Sequence, residues 1–165
     1  MKRQIRQVAD LHLHAEKLAK ASTRDEIMSA TLDAAESVVG FHFISILEPR
    51  DGALVITSSR GNFSPSIRLP LDGKGLTVTV AREKSSILTT DTEVEPKYVR
   101  GVIGSRSELD VPVIVGGEAV AVINLESEEL NAFDEGDKKL METLALHVAS
   151  ALERLKVDYT LAPDS

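Results

Sequence analysis

Two nearly unbroken apolar runs, 109–115 and 119–125, flank the pair Gly116-Gly117. Paired glycines readily take the positive φ angles of a tight turn, so these runs predict one antiparallel hairpin. A strand with one wet face alternates apolar and polar positions, and these do not. The sheet they enter is therefore predicted to be covered on both faces. The polar exceptions are Glu108, Asp110, Asn124 and Glu126, all at the end away from the turn. Asn124 and Glu126 share a face in any register, whereas Glu108 joins them only if the turn holds three residues or a bulge shifts the ladder.

Upstream, Ile5, Val8, Leu11, Ala15, Leu18 and Ala19 recur at steps of three and four and predict an amphipathic helix over 2–21. Thr23 and Glu26 form a capping box for a second helix with Ile27, Ala30, Thr31, Ala34 and Val38 on one face and Gly40 as its stop. Residues 41–48 and 53–59 read as strands around a Pro49-Arg50-Asp51-Gly52 turn. Beyond Arg60, Gly and Pro punctuate a loop with an extended piece at 67–71, a short helix at 76–82 and a short strand at 87–90. Residues 91–106 form a long polar connection, and loops of that length in a compact domain are usually functional or mobile. A last helix over 134–157 opens on carboxylates, has the seam Leu140, Leu144, Val148, Ala151, Leu152 and Leu155, and leaves 158–165 as a fraying tail.

The 165 residues suit one domain, 1–157, able to bury a core without staples. Zero cysteines exclude disulfides, thiolate metal sites, cysteine nucleophiles and thioether-linked cofactors, and agree with a cytoplasmic setting. No stretch has signal-peptide or membrane-span character, so no membrane partner is expected. A net charge of −7 disfavours nucleic-acid binding, and the basic cluster Lys2, Arg3 and Arg6 reads as a solvated helix start. His12, His14, His42 and His147 lack metal-ligand spacing and read as surface or half-buried residues. No cofactor is predicted; haem would require His42 or His147 as its ligand.

The order of elements predicts an α+β fold: a five- or six-stranded antiparallel sheet between terminal helices on one face and a short helix with loops on the other. Over roughly Thr23 to Leu155 the chain resembles a GAF domain. The resemblance is carried by Gly73-Lys74-Gly75-Leu76, by Asp91, by Ser107-Glu108-Leu109-Asp110-Val111-Pro112-Val113, by Val122-Ile123-Asn124-Leu125-Glu126-Ser127 and by Asn131-Ala132-Phe133-Asp134. Relative to the cyclic-nucleotide branch, Asn124, Phe133 and Asp137 match, but Leu125 replaces the motif's Lys and Lys138 its Glu. The free methionine-(R)-sulfoxide reductase branch is similar over 105–108 and 123–137; there, by resemblance, Glu108 and Glu126 would hold a free amino acid, with Asn124 in place of a further acid. Gly101 stands where that branch has a reactive cysteine, and sulfoxide reduction needs a sulfur nucleophile.

The resemblance thus implies a non-catalytic sensory or regulatory domain that binds a small polar molecule or a partner signalling protein. The residues expected at its site are Glu108, Asn124 and Glu126, with Arg106, Tyr98, Asp91 and Arg60 from nearby loops. A carboxylate in the sheet is costly unless paired, so surface positions for the acids are slightly favoured. Gly73-Lys74-Gly75 reads as a flexible turn more readily than as an anion site. The terminal helices are expected to form a four-helix bundle in a homodimer. Two alternatives stand beside this reading: a degenerate enzyme acting on a free amino-acid derivative, and a ligand-free dimerisation module.

Overall fold

A computed structural model describes residues 2–40, 43–61, 67–99, 102 and 104–161. His42, Phe63 and Gly101 lie outside the described residues. In chain order the elements are α1 (Lys2–Lys20), α2 (Arg24–Val39), β1 (Phe43–Arg50), β2 (Ala53–Arg60), β3 (Arg68–Pro70), α3 (Leu76–Glu83), β4 (Ile87–Thr89), a 3-10 turn (Thr92–Val94), β5 (Ser107–Val115), β6 (Glu118–Ser127) and α4 (Glu135–Leu161). The six strands form one antiparallel sheet in the order β3-β2-β1-β6-β5-β4. This is the α+β plan that the pattern of the sequence implies.

The glycine pair makes the turn that its composition requires. Gly116 and Gly117 have φ angles of 60° and 80°, and Val115 pairs directly with Glu118. The turn therefore holds two residues, and a bulge between Val113 and Ile114 shifts the register. That shift sets Glu108 opposite Glu126 and Asp110 opposite Asn124, so all four point to one face.

Each face of the sheet carries its own cover. On one, Ile44, Ile46, Leu109, Val111, Ile123 and Leu125 pack against α2 and α4, with Ile27, Ala35, Met141, Leu144 and Val148 in the same core. On the other, Leu47, Leu54 and Val122 meet Val78, Val80 and Ala81 of α3. Double coverage explains why the strands do not alternate. The first helix packs chiefly on α2 and α4, forming an outer layer.

Local signals hold α2 and α4 in place. Thr23 Oγ1 accepts from the Glu26 amide at 3.1 Å, and Glu26 Oε2 accepts from the Ser22 amide at 2.8 Å, so the capping box forms. Before α4, Asp134 and Asp137 accept reciprocally from one another's amides at 2.8 and 3.0 Å.

Four expectations need correction. The buried stripe of α1 is Gln7, Leu11, His14 and Leu18, whereas Ile5 and Val8 are 65% and 63% exposed. Two polar residues displace the apolar seam because each has a partner across the helices: Gln7 Nε2 donates to Val38 O at 2.7 Å, and His14 meets Thr31. His14 is thus a core residue, 1% exposed, not a surface one. Pro49 is not a turn residue; it pairs with Leu54, and the turn is Asp51-Gly52 alone. The pairing of β1 with β6 ends at Leu47, so the missing amide of Pro49 costs no ladder bond on that side. Finally, α4 continues to Leu161, past the expected end at 157.

Candidate functional site

Burial of the four polar residues at the open end of the hairpin defines the site. Glu108, Asp110, Asn124 and Glu126 are all 4% exposed or less, which overturns their expected surface placement. Asn124 organises them. Its Nδ2 donates to Glu108 Oε1 at 2.7 Å and to Asp110 Oδ1 at 2.8 Å, while its Oδ1 accepts from Ser45 Oγ at 3.2 Å. An acid at position 124 would leave those two carboxylates without this donor. Tyr98, from the long connection, donates its hydroxyl to Glu126 Oε1 at 2.9 Å.

Supply falls short of demand. Glu108 Oε2 and Asp110 Oδ2 are buried without a hydrogen-bond partner, and so is the hydroxyl of Thr89, which stands opposite Glu108 on β4. Burial is the largest cause of displacement for all three carboxyls. It raises Glu108 well above the ordinary glutamate value, with the neighbouring acids Asp110 and Glu126 adding to the rise. Asp110 is raised to about 6 and Glu126 to about 7, in each case against hydrogen bonds that favour the ionised form. The Tyr98 hydroxyl is raised, first by burial and then by Glu126 and Glu108. Among the described residues no cationic side chain acts on these carboxyls.

Between this acid floor and α3 lies a cleft holding about 30 Å³ of free space, enough for a head group. Glu108, Asn124, Glu126 and Ser45 line its polar end; Leu47, Ile56, Leu76 and Val99 line its apolar end. Thr77, in the first turn of α3, also faces it. That helix has Gly75 at its N-cap and no capping side chain.

The structure does not bring every expected residue to this cleft. Glu108, Asn124, Glu126 and Tyr98 converge there. Asp91 instead accepts from the Glu93 amide at 3.0 Å and, with Glu93, faces Arg106 at 3.7 and 3.5 Å. That brace ties the two ends of the 91–106 connection together, helped by the Thr92 amide donating to Arg106 O at 2.9 Å. Arg60 lies elsewhere: it pairs with Asp33 and Glu36 of α2 at 2.7 and 3.3 Å. It stands opposite Ile44, whose side chain enters the helix-side core, so alternation turns Arg60 away from the acids. His147 is also remote, packed on His14 with ring centroids 5.7 Å apart.

Sequence reasoning did not single out Ser45 or Thr89. Ser45 becomes legible once β1 is paired with β6, because it then lies opposite Asn124. Thr89 had no usable signal, since a strand of three residues carries no readable periodicity. Among the described residues no three His, Cys, Asp or Glu side chains are arranged so that they could hold a metal ion. No helix among them is long and apolar enough to cross a membrane.

A six-stranded antiparallel sheet with a helical layer on one face and a roofed polar cleft on the other defines a class of generally sensory and regulatory domains. The chain belongs to the GAF domain family, whose model matches residues 21–153. GAF domain-containing protein A of Dictyostelium discoideum is 26% identical over 108 residues, 62% of this chain and 61% of that protein. The chain thus spans less than two thirds of that relative. The free methionine-R-sulfoxide reductase of Neisseria meningitidis, solved in complex with its substrate, has a TM-score of 0.87 at 20% identity, covering 96% of this chain and 94% of its own. The GAF domain of a phosphoenolpyruvate-protein phosphotransferase from Coxiella burnetii has a TM-score of 0.80 at 18% identity, covering 95% and 98%. At these identities the two structures speak to the fold alone.

Proposed function

We propose that this chain is a non-catalytic sensory or regulatory GAF domain that binds a small molecule through an ammonium group in the cleft above β5 and β6. One observation carries the reading: three buried carboxyls lie together, two on the Asn124 amide and one on the Tyr98 hydroxyl, with two oxygens unpartnered and no cationic side chain among the described residues acting on them. Such a floor calls for a positive group with several N–H donors. The uncapped start of α3 on the cleft's other wall favours a negative group, so a zwitterion such as a free amino-acid derivative suits both walls. The reductase similar in fold acts on free methionine-R-sulfoxide, which belongs to this chemical class. Reduction by the chain's own thiols is ruled out, because it has no cysteine.

Scanning fluorimetry with methylammonium, free amino acids including methionine sulfoxide, cyclic nucleotides and haem tests this. Ammonium-bearing compounds should raise the melting temperature by several degrees at about 100-fold excess over Kd. The gain should vanish in Glu126→Gln. A flat response to every compound would leave a ligand-free dimerisation module, and turnover of methionine sulfoxide by the chain would make it an enzyme.

The terminal helices form the proposed output. Strands β5 and β6 carry acids on one face and Leu109, Val111, Ile123 and Leu125 on the other, against the helical core, so a shift of the floor is felt by α4. Ile5 and Val8 of α1 and Leu146 of α4 are each more than 60% exposed, which supports a homodimer through this layer. Sedimentation should give a dimer for the wild type and a monomer for Ile5→Glu/Val8→Glu; a wild-type monomer at all concentrations would remove the dimer.

A further inference from the structure

Glu108 and Glu126 line the cleft with Asp110 buried beside them, and the oxygens of the three acids outnumber their donors. Their three carboxyl groups present six oxygens. The side-chain donors that act on them are the two N–H bonds of Asn124 and the hydroxyls of Tyr98 and Ser105, the last two on Glu126. Ser105 also bonds Tyr98, and Thr89 stands opposite Glu108 with a hydroxyl that has no partner. From β1 comes Ser45, already used by Asn124, and from α3 comes Thr77, neither of them charged. Arg106, next to the first residue of β5, faces Asp91 and Glu93. The titratable groups facing one another here are therefore Glu108 and Asp110 from β5, Glu126 from β6 and Tyr98 from the loop, all of them neutral or negative. Three ionised carboxylates buried this closely would repel, and with no cation among the described groups around them a positive charge arriving as a proton or on a ligand relieves that repulsion.

We infer that the floor is a proton–ammonium exchange site: the unliganded chain holds a proton between Glu108 and Asp110, and a ligand ammonium that reaches Glu108 from the cleft supplies the positive charge in its stead and expels it. This rests on the proposed reading of the cleft. The two oxygens lacking partners, Glu108 Oε2 and Asp110 Oδ2, are the ones a shared proton would serve. The electrostatics run the same way, since Glu108 is raised furthest and a bond to Asp110 is among the causes. In the exchange Glu108–OH loses its proton to solvent, the carboxylate formed accepts an N–H bond from the ammonium, and the net charge of floor and ligand together equals that of the protonated floor. Affinity then depends on pH. Each unit of pH should tighten binding about tenfold while the site still carries its proton, and the dependence should flatten once it is lost.

Two measurements on the full chain test the exchange, with methylammonium as the probe. Infrared spectra near neutral pH should contain a carboxylic-acid C=O band from the unliganded chain that is absent in Glu108→Gln. Addition of saturating methylammonium should remove the band and release about one proton per chain into a weakly buffered solution. Absence of the band in the unliganded chain overturns the exchange whatever binds. Binding of methylammonium with the band intact and no proton released overturns the exchange but leaves the cleft a cation site. A band that persists because methylammonium does not bind at any concentration overturns both.

Discussion

Asp110→Asn should make the protein more stable above about pH 6, by up to about 3 kcal/mol, although it removes a fully buried residue from a hydrogen-bonded cluster. The carboxyl of Asp110 is raised from 3.8 to about 6 in the folded chain, chiefly by burial. A raised acid binds its proton more tightly when folded than when unfolded. The stability linked to it is therefore complete below 3.8 and is lost as pH rises through about 6. Asparagine has no proton to lose, so the variant keeps what the wild type gives up. Its geometry is also favourable. The oxygen of the introduced amide can still accept from Asn124 Nδ2, and its new N–H groups stand near Glu108 Oε2, which has no donor in the wild type. Removing the Asp110 charge also relaxes Glu108, for which that charge is the second-largest cause of displacement. Urea midpoints at about pH 4 and pH 8 check this: the variant should match the wild type within about 1 kcal/mol in acid and exceed it clearly in alkali. A variant less stable at both values would mean that the acid cluster is held together by its ionised form. The same substitution should abolish ligand binding, so that stability and function move in opposite directions, as they do where a site is built from mutually repelling groups.

How far the sequence foretold this site depends on register. The hairpin, its glycine turn and the double coverage of the sheet followed from two apolar runs, because backbone conformation at Gly116-Gly117 and burial on both faces leave local traces. The convergence of Glu108 on Asn124 and Glu126 did not. It depends on one bulge at Val113 and Ile114, and nothing in a run of β-branched residues marks where an extra residue is accommodated. Burial of the acids was likewise illegible, since a carboxylate on a strand reads as surface until its roof is known. Here the roof comes from α3 and from Tyr98, 28 positions before its partner Glu126. Arg60 shows the opposite failure. It lies in sequence beside the loop that follows β2, yet its strand turns it toward α2, where Asp33 and Glu36 meet it. The stripe of α1 failed for a third reason: hydrophobic periodicity weighs Gln7 and His14 as polar and cannot see the Val38 carbonyl and the Thr31 hydroxyl that let them be buried.

His14 makes the second large prediction, and it opposes the first. Thr31 Oγ1 donates to Ile27 O at 2.7 Å, so its lone pair is what His14 Nε2 meets at 3.3 Å. The ring is therefore the tautomer with its proton on Nε2, and Nδ1 is left buried without a partner. Burial, then His147, then Lys17 lower its pKa from 6.5 to about 4. A lowered base binds fewer protons when folded, so its stability is complete above 6.5 and is lost as pH falls toward 4, by up to about 3 kcal/mol. Burial lowers His147 also, adding to the same slope. His14→Met, which conserves volume roughly and has nothing to protonate, should stabilise the chain near pH 4 by about that amount and change it by less than about 1.5 kcal/mol at pH 8. Between about pH 4 and 6, then, the wild type combines a carboxyl that loses stability with rising pH and an imidazole that gains it, on opposite faces of one sheet. The two slopes offset each other. Each variant removes one of them: Asp110→Asn should grow more stable with rising pH, His14→Met less stable, and urea midpoints at three values across this window measure both. Profiles that stay parallel to the wild type would show that neither group titrates as its burial requires.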